Sequence, residues 1–214
     1  MKIPTIETIH FLPPNFTNKN NHEPFTKDIM SIVLQRKEWH TGNPNIGEPD
    51  YFCGDIPFEF TLASNTKKKG NYIQKLKSGE YVTKDLETDV LTYIRNAIEK
   101  KLEKKYSVKH VHLCVLCLIN LTFWVLDEYG ASLEDSSASN REELFLWIIK
   151  NCISSKKFKN VFLIFPDLNA RWWVWDVKTD IKSCVQLLPE HILSKHVPFW
   201  MIAQEYDDLL TKSN

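Results

Sequence analysis

One stretch decides the fold: Glu48-Pro49-Asp50-Tyr51-Phe52-Cys53-Gly54-Asp55-Ile56-Pro57-Phe58-Glu59-Phe60-Thr61. Its Gly54-Asp55 pair is a suitable two-residue hairpin turn, because glycine adopts positive φ at the first turn position without steric cost. With the turn centred there, Asp50 lies directly opposite Glu59, and directly paired residues point to the same face with Cβ atoms about 4.5–5.5 Å apart. Two carboxylates so placed repel one another unless a cation lies between them, and Mg²⁺ is a natural occupant. A solvent-exposed hairpin with two hydrated acids is the alternative.

Hydrophobic periodicity around this hairpin predicts an α/β protein with a mixed β-sheet flanked by helices. A helix from about Phe25 to Trp39 comes first, and the hairpin strands are Tyr51–Cys53 and Ile56–Ala63. The clearest helix runs from about Asp85 to Lys105, because apolar residues recur along it at helical spacing. The nearly continuous apolar segment His110–Ile119 is typical of a central strand that is covered on both faces.

The second half of the chain continues the alternation of helices and strands. The expected elements are a helix at Arg141–Ile153 and strands at Asn160–Phe165 and Arg171–Lys178, joined by a turn at Asp167–Ala170. Helical segments near Glu190 and Ile202 form a helical C-terminal annex. This order of elements is typical of a mixed α/β layer structure.

The chain of 214 residues, 43% of them hydrophobic, predicts a single domain that follows an irregular arm. Residues 1–24, rich in Asn, Pro and Thr, form the arm. Residues 25–214 form the domain, with its helical extension from about residue 186. Within it, the polar segment Ser64–Gly79 carries five lysines and predicts a basic loop.

Charge and cysteine content bear on partners and compartment. Lys+Arg and Asp+Glu are equal at 27 each, so the net charge gives no attraction to nucleic acid, although a local basic rim is enough for a nuclease. Five cysteines at irregular spacing predict no disulfide framework. The sequence has neither a signal-peptide pattern nor an apolar run of membrane-spanning length. We therefore expect a cytoplasmic protein without a membrane partner.

The hairpin resembles the signature of the PD-(D/E)XK nuclease superfamily, which is Pro-Asp, a short hairpin and then an acid-x-Lys. Pro49-Asp50 and Glu59 match it, and the succession of elements over about Phe25–Ile119 is similar to the α-β-β-β-α-β core of that superfamily. The resemblance implies a restriction-endonuclease-like core, with Asp50 and Glu59 as ligands of Mg²⁺ or Mn²⁺. It further implies DNA as the partner and a role in restriction or phage defence, and homodimers are frequent among such proteins.

Thr61 departs from the motif, since the superfamily usually has a lysine there that orients the attacking water and offsets negative charge. A threonine hydroxyl can hold a water but supplies no charge. Some members carry the lysine on the following helix, and Lys101 is placed for that role, because it falls near the centre of the apolar helical stripe. A lysine lying along the helix end is the alternative. Glu38 could add a metal ligand or orient the ion, and the alternative is a surface glutamate. Rival donors are the loop residues Lys67, Lys68, Lys69, Lys75 and Lys77.

A literal match to the same motif occurs a second time, at Pro166-Asp167 and Asp176-Val177-Lys178. If the flanking strands turn about Leu168-Asn169, Asp167 lies in the turn and Asp176 lies at the far end of its strand. The two acids are then separated by most of a strand length, so this second motif is only a reserve site.

The sequence therefore predicts a metal-dependent nuclease that hydrolyses DNA phosphodiester bonds. In this interpretation Asp50 and Glu59 hold Mg²⁺, while Thr61 and Lys101 position the nucleophile. A catalytically inactive module of the same fold, which binds DNA or another protein, is the alternative. The absence of lysine at position 61 favours that alternative.

Overall fold

A seven-stranded mixed β-sheet forms the centre of the protein, and its strands lie side by side in chain order. The computed structural model describes residues 19–63, 86–117, 121, 136–166 and 171–185. The strands are β1 (Trp39–Thr41), β2 (Tyr51–Cys53), β3 (Ile56–Ala63), β4 (His112–Cys117), β5 (Asn160–Pro166), β6 (Trp172–Asp176) and β7 (Ile181–Val185). The α-helices in these ranges are α1 (Lys19–Leu34), α2 (Leu86–Leu102) and α3 (Ser136–Ile148), the last continued by a π-helical segment, Ile149–Ser154.

The sheet has an antiparallel part on each side of a parallel centre. β1, β2 and β3 pair antiparallel, and so do β5, β6 and β7. The pairs β3–β4 and β4–β5 are parallel. Parallel neighbours need a crossover connection, usually a helix, and the two chain segments that make these crossovers contain α2 and α3.

Helices cover both faces of the sheet, so the core consists of two layers. On one face α1 contributes Phe25, Ile29 and Met30, which pack with Phe58 and Phe60 of β3. On the other face α2 and α3 pack against the alternate residues of the central strands. Residues of that second core include Ile94, Ile98, Ile148, Leu113, Val115, Val161 and Leu163. β4 is buried from Leu113 to Cys117, because both of its faces are covered.

The predicted mixed α/β architecture and the hairpin strands Tyr51–Cys53 and Ile56–Ala63 are confirmed. Gly54 has φ 58°, the positive value that the turn requires of its first residue. The observed ends of the other helices and strands differ by a few residues from the predicted ends. β5 and β6 lie within or close to their predicted ranges, whereas α3 begins at Ser136 and not at Arg141.

The predicted range of the first helix is wrong at both ends. α1 begins at Lys19, inside the segment that the sequence predicts to be an irregular arm, and it ends at Leu34. Gln35 then takes a positive φ of 52°, which stops the helix, and Trp39 opens the strand β1 that the sequence pattern did not indicate.

The other corrections concern α2, β4 and β7. α2 ends at Leu102 and not at Lys105, and β4 begins at His112, because His110 has a left-handed φ of 61°. β7 also was not predicted. Residues 1–18, the basic loop 64–79 and the C-terminal annex from 186 lie outside the described residues.

Candidate functional site

The β2–β3 hairpin carries the two acidic side chains on one face of the sheet. Its register pairs Tyr51 with Phe58 and Cys53 with Ile56, and one further step along the same register places Asp50 opposite Glu59. Tyr51 and Phe58 belong to the core beneath α1, so Asp50 and Glu59 point to the opposite side, towards α2. Both side chains are buried, with 6% of Asp50 and 0% of Glu59 exposed.

Asp50 is held by three groups that come from different parts of the chain. Its Oδ2 accepts a hydrogen bond from the backbone N–H of Phe60 at 2.8 Å. Its Oδ1 accepts from Nζ of Lys19, in the first turn of α1, at 2.7 Å. Nζ of Lys101 lies 3.8 Å from Oδ2. The carboxylate is therefore fixed by its own hairpin and paired with cations from two helices.

Glu59 is paired with two ammonium groups. Nζ of Lys101, in the last turn of α2, lies 2.5 Å from Oε1, and Nζ of Lys104 donates to Oε1 and Oε2 at 2.9 Å each. A fully buried carboxylate needs such partners, since an unpaired buried charge is strongly destabilising. Lys101 thus contacts both carboxylates.

The charges of this cluster shift the pKa of its members in opposite directions. Burial opposes ionisation of Asp50, but Lys101, the Lys19 hydrogen bond and the Phe60 N–H together outweigh it and hold the pKa of Asp50 below its ordinary value. Glu23, one helical turn after Lys19, lies 3.1 Å from the same ammonium group. Burial and then the negative charge of Asp50 raise the pKa of Glu23 from 4.5 to about 7.

Tyr106 lies at the border of the site, in the segment that follows α2. Its hydroxyl is buried and has no hydrogen-bond partner within the part of the chain that the structure describes. Burial, and then the charges of Glu59 and Asp50, raise the pKa of Tyr106 above its ordinary value. Two ammonium groups lie over its ring, Nζ of Lys104 at 5.1 Å and Nζ of Lys157 at 5.5 Å from the centroid.

The residues predicted from sequence are only partly brought together. Asp50, Glu59 and Lys101 form one cluster. Thr61 is half-buried on β3, two residues beyond Glu59 and hence on the same face. Glu38 lies elsewhere: its carbonyl accepts from the Gly54 N–H at 3.1 Å, at the turn end of the hairpin and away from Asp50. The loop lysines at 67, 68, 69, 75 and 77 lie outside the described residues.

The described residues of the second motif, Asp176 and Lys178, have a structural role in a turn. Asp176 pairs with Phe162, at the end of the β5–β6 hairpin far from Pro166. Its Oδ1 accepts from Nδ2 of Asn160 at 2.7 Å and from the N–H of Thr179 at 3.1 Å. Asp176 therefore holds the turn before β7, and Lys178 belongs to the same turn. Asp167 lies outside the described residues.

Three members of the cluster were missed by sequence reasoning: Lys19, Glu23 and Lys104. Lys19 and Glu23 stand in the segment that the sequence predicts to be an irregular arm. Their i, i+4 spacing is typical of a helical ion pair and was the available signal. Lys104 stands three residues after Lys101, and sequence reasoning assigns it no role in the site. The spacing of three, which places side chains on one face, could have indicated it.

The donor set is compatible with a hard divalent ion. No group of three or more His, Cys, Asp and Glu side chains suited to a metal is found within the described ranges. Mg²⁺, however, is usually bound by one or two carboxylates together with waters and substrate phosphates. Asp50 and Glu59 supply two carboxylates, and the Lys101 ammonium group contacts both of them. These two residues would hold the ion.

No family model, curated protein or solved structure matches the chain. Among the helices in the described part, none has the length and apolar character needed to cross a membrane.

Proposed function

We propose that this protein is a divalent-metal-dependent nuclease with a restriction-endonuclease-like core, which hydrolyses phosphodiester bonds of DNA. The observation that carries the proposal is the position of Lys101. Its ammonium group comes from the helix that follows the acidic strand and contacts Glu59 at 2.5 Å and Asp50 at 3.8 Å. If the catalytic lysine lies on the helix after the acidic strand, phosphodiester hydrolysis requires its ammonium group beside the pair of carboxylates. Lys101 has this position.

The order of elements also supports the proposal. α1, β1, β2, β3, α2 and β4 follow one another as α-β-β-β-α-β, the order that the superfamily core has. β1 supplies the third strand of the antiparallel part, and the sequence pattern alone did not indicate this strand. The site lies on the face covered by α2, where the central parallel strands give it a rigid base.

Four side chains and one backbone N–H of the site have a defined chemical task in this proposal. Asp50 and Glu59 would hold Mg²⁺, which when bound neutralises charge on the scissile phosphate and lowers the pKa of a water. The ammonium group of Lys101 stabilises the negative charge that develops on the phosphoryl oxygens. The Thr61 hydroxyl orients a water beside Glu59. The Phe60 N–H keeps Asp50 in its orientation, so that little reorganisation is needed.

A cleavage assay with Glu59→Gln tests this function. Wild-type protein is expected to cut DNA in the presence of Mg²⁺ or Mn²⁺ and to lose this activity in EDTA. Glu59→Gln keeps the side-chain size but removes the charge, so cleavage is expected to disappear while the variant still unfolds cooperatively. Glu103→Gln is the matched control, because Glu103 is exposed and lies just beyond α2. Loss of cleavage in both variants, or in neither, would contradict the assignment of Glu59.

The second candidate function is a catalytically inactive nuclease-fold module that binds DNA or another protein. It is favoured by the three ammonium groups of Lys19, Lys101 and Lys104, which already neutralise the carboxylates, and by threonine at position 61. Wild-type protein that binds DNA without metal-dependent cleavage of any single- or double-stranded DNA or RNA would establish this function instead.

A further inference from the structure

Within the part of the chain that the structure describes, the carboxyl groups around Glu59 are already paired with ammonium groups before any metal binds. Three carboxylates, Glu23, Asp50 and Glu59, are paired with the ammonium groups of Lys19, Lys101 and Lys104. A divalent ion added between Asp50 and Glu59 would meet ammonium groups at hydrogen-bond distance from the same oxygens. Like charges at such distances in a partly buried site repel strongly. One ammonium group must therefore leave its carboxylate partner, Asp50 or Glu59, when the ion enters.

Of the two ammonium groups paired with Glu59, that of Lys104 is the freer to leave. Lys101 contacts both carboxylates, whereas Lys104 contacts only Glu59. The side chain of Lys104 is 27% exposed and that of Lys101 is 20% exposed. Lys104 also lies beyond the end of α2, while Lys101 is within it. Finally, Lys104 has a second favourable neighbour, the ring of Tyr106, 5.1 Å from its Nζ.

The surroundings of Lys104 also indicate where its ammonium group goes. Nζ of Lys157 donates to the Lys104 carbonyl at 2.5 Å, and the two ammonium groups lie over the same Tyr106 ring. The contact with Lys157 fixes the backbone at Lys104. The side chain of Lys104 is not held by this contact and can change its partner. A released Lys104 would join Lys157 in a small basic surface next to the carboxylates. Such a surface attracts a phosphate group.

We infer that Lys104 is an exchangeable cation of this site: it neutralises Glu59 in the metal-free protein, and it moves to a nucleic-acid phosphate when a divalent ion takes its place. The inference rests on the proposed function, since it assumes that Asp50 and Glu59 bind the ion. It assigns Lys104 a role in substrate binding that is distinct from the charge stabilisation assigned to Lys101.

Calorimetric titration of the full chain with Mn²⁺, without nucleic acid, tests the first half of the inference. Lys104→Met removes the competing cation, so its affinity for Mn²⁺ is expected to exceed that of the wild type by about tenfold. Lys105→Met is the matched control, because this neighbouring lysine is exposed; it is expected to leave the affinity unchanged. Lys104→Gln, which retains a hydrogen-bond donor without charge, is expected to behave like Lys104→Met and serves if the methionine variant does not fold.

Binding of a phosphorothioate-substituted DNA duplex, followed by fluorescence anisotropy with and without Mn²⁺, tests the second half. In the wild type Mn²⁺ is expected to strengthen DNA binding, and in Lys104→Met this gain is expected to fall by about tenfold. Equal Mn²⁺ affinity in Lys104→Met and Lys105→Met would overturn the inference, while cleavage by the wild type would still support the nuclease. If no variant binds Mn²⁺ and the wild type does not cut, the inference and the proposed function both fail.

Discussion

The backbone N–H of Phe60 donates a hydrogen bond to Oδ2 of Asp50 at 2.8 Å, so the strand that carries Glu59 also orients the other carboxylate. Both acids consequently move with one hairpin, and their separation does not depend on a long connection. Lys101 reaches this pair from α2, which packs on the same face of the sheet. The geometry of the cluster is thus set by the β2–β3 hairpin and by the seating of one helix.

Lys101→Met is expected to abolish cleavage while leaving DNA binding nearly intact. Removing one group that stabilises transition-state charge typically lowers kcat by about 10²–10³-fold. The variant also loses a charge-assisted hydrogen bond to buried Glu59, so the free energy of unfolding should fall by about 2 kcal/mol. Cleavage rate, anisotropy with DNA and urea unfolding measure the three effects. Lys100→Met, on the exposed side of the same helix, is the control. Wild-type cleavage by Lys101→Met would remove this residue from the mechanism.

Asp176→Ala is expected to lower stability without affecting cleavage. Asp176 accepts hydrogen bonds from Asn160 and Thr179, and Asn160 is buried, so unpairing it should cost about 1–3 kcal/mol. The measurements are urea unfolding and the cleavage rate, corrected for the folded fraction. Asp55→Ala, at the exposed hairpin turn, is the control for charge. Loss of cleavage in a folded Asp176→Ala variant would mean that the second copy of the motif is the active one.

The sequence predicted well what is decided locally. A glycine that must take positive φ fixes the turn at Gly54, and the alternation of Phe58 and Phe60 with Glu59 fixes the face of each acid. Helical periodicity likewise places Lys101 on the buried side of α2. The apolar run of β4 predicts a central strand, since a strand covered on both faces has no polar alternation.

Residues whose positions depend on distant contacts were missed. Pro24 lies inside α1, whereas proline usually stands at the first position of a helix, so local rules place the start of α1 too late. The additional turn contains Lys19 and Glu23, and Lys19 pairs with Asp50, 31 residues away. No local pattern indicates that pairing. β1 was missed for a similar reason: it has three residues, two of them exposed, and is defined by its pairing with β2.

Glu23→Gln is expected to stabilise the protein at high pH and to have little effect at low pH. The pKa of Glu23 is raised from 4.5 to about 7, so the folded state binds a proton that the unfolded state has lost between these pH values. Wild-type stability consequently falls as pH rises from about 4.5 to about 7, and glutamine removes this loss. The difference in Tm between variant and wild type, measured in EDTA, should grow from pH 5 to pH 8. Glu99→Gln, an exposed residue of α2, should show no such trend. A variant less stable than the wild type at pH 8 would contradict the prediction.

Gly42→Ala is expected to disrupt the site through the backbone of Asp50. The Gly42 N–H donates to the Asp50 carbonyl at 3.0 Å, and a Cβ atom at Gly42 would lie 2.0 Å from the carbonyl oxygen of Pro49. The chain at Pro49-Asp50 must move to relieve this contact, at a cost of about 1–3 kcal/mol, and the Asp50 carboxylate moves with it. Both Mn²⁺ affinity by calorimetry and cleavage rate should fall. Gly54→Ala is the control: its strain arises from a φ of +58°, and its Cβ would lie at an ordinary distance, 3.9 Å, from the side chain of Arg36. That variant should lose about 1 kcal/mol of stability and retain Mn²⁺ binding. Unchanged Mn²⁺ binding in Gly42→Ala would show that the position of Asp50 does not depend on this close backbone approach.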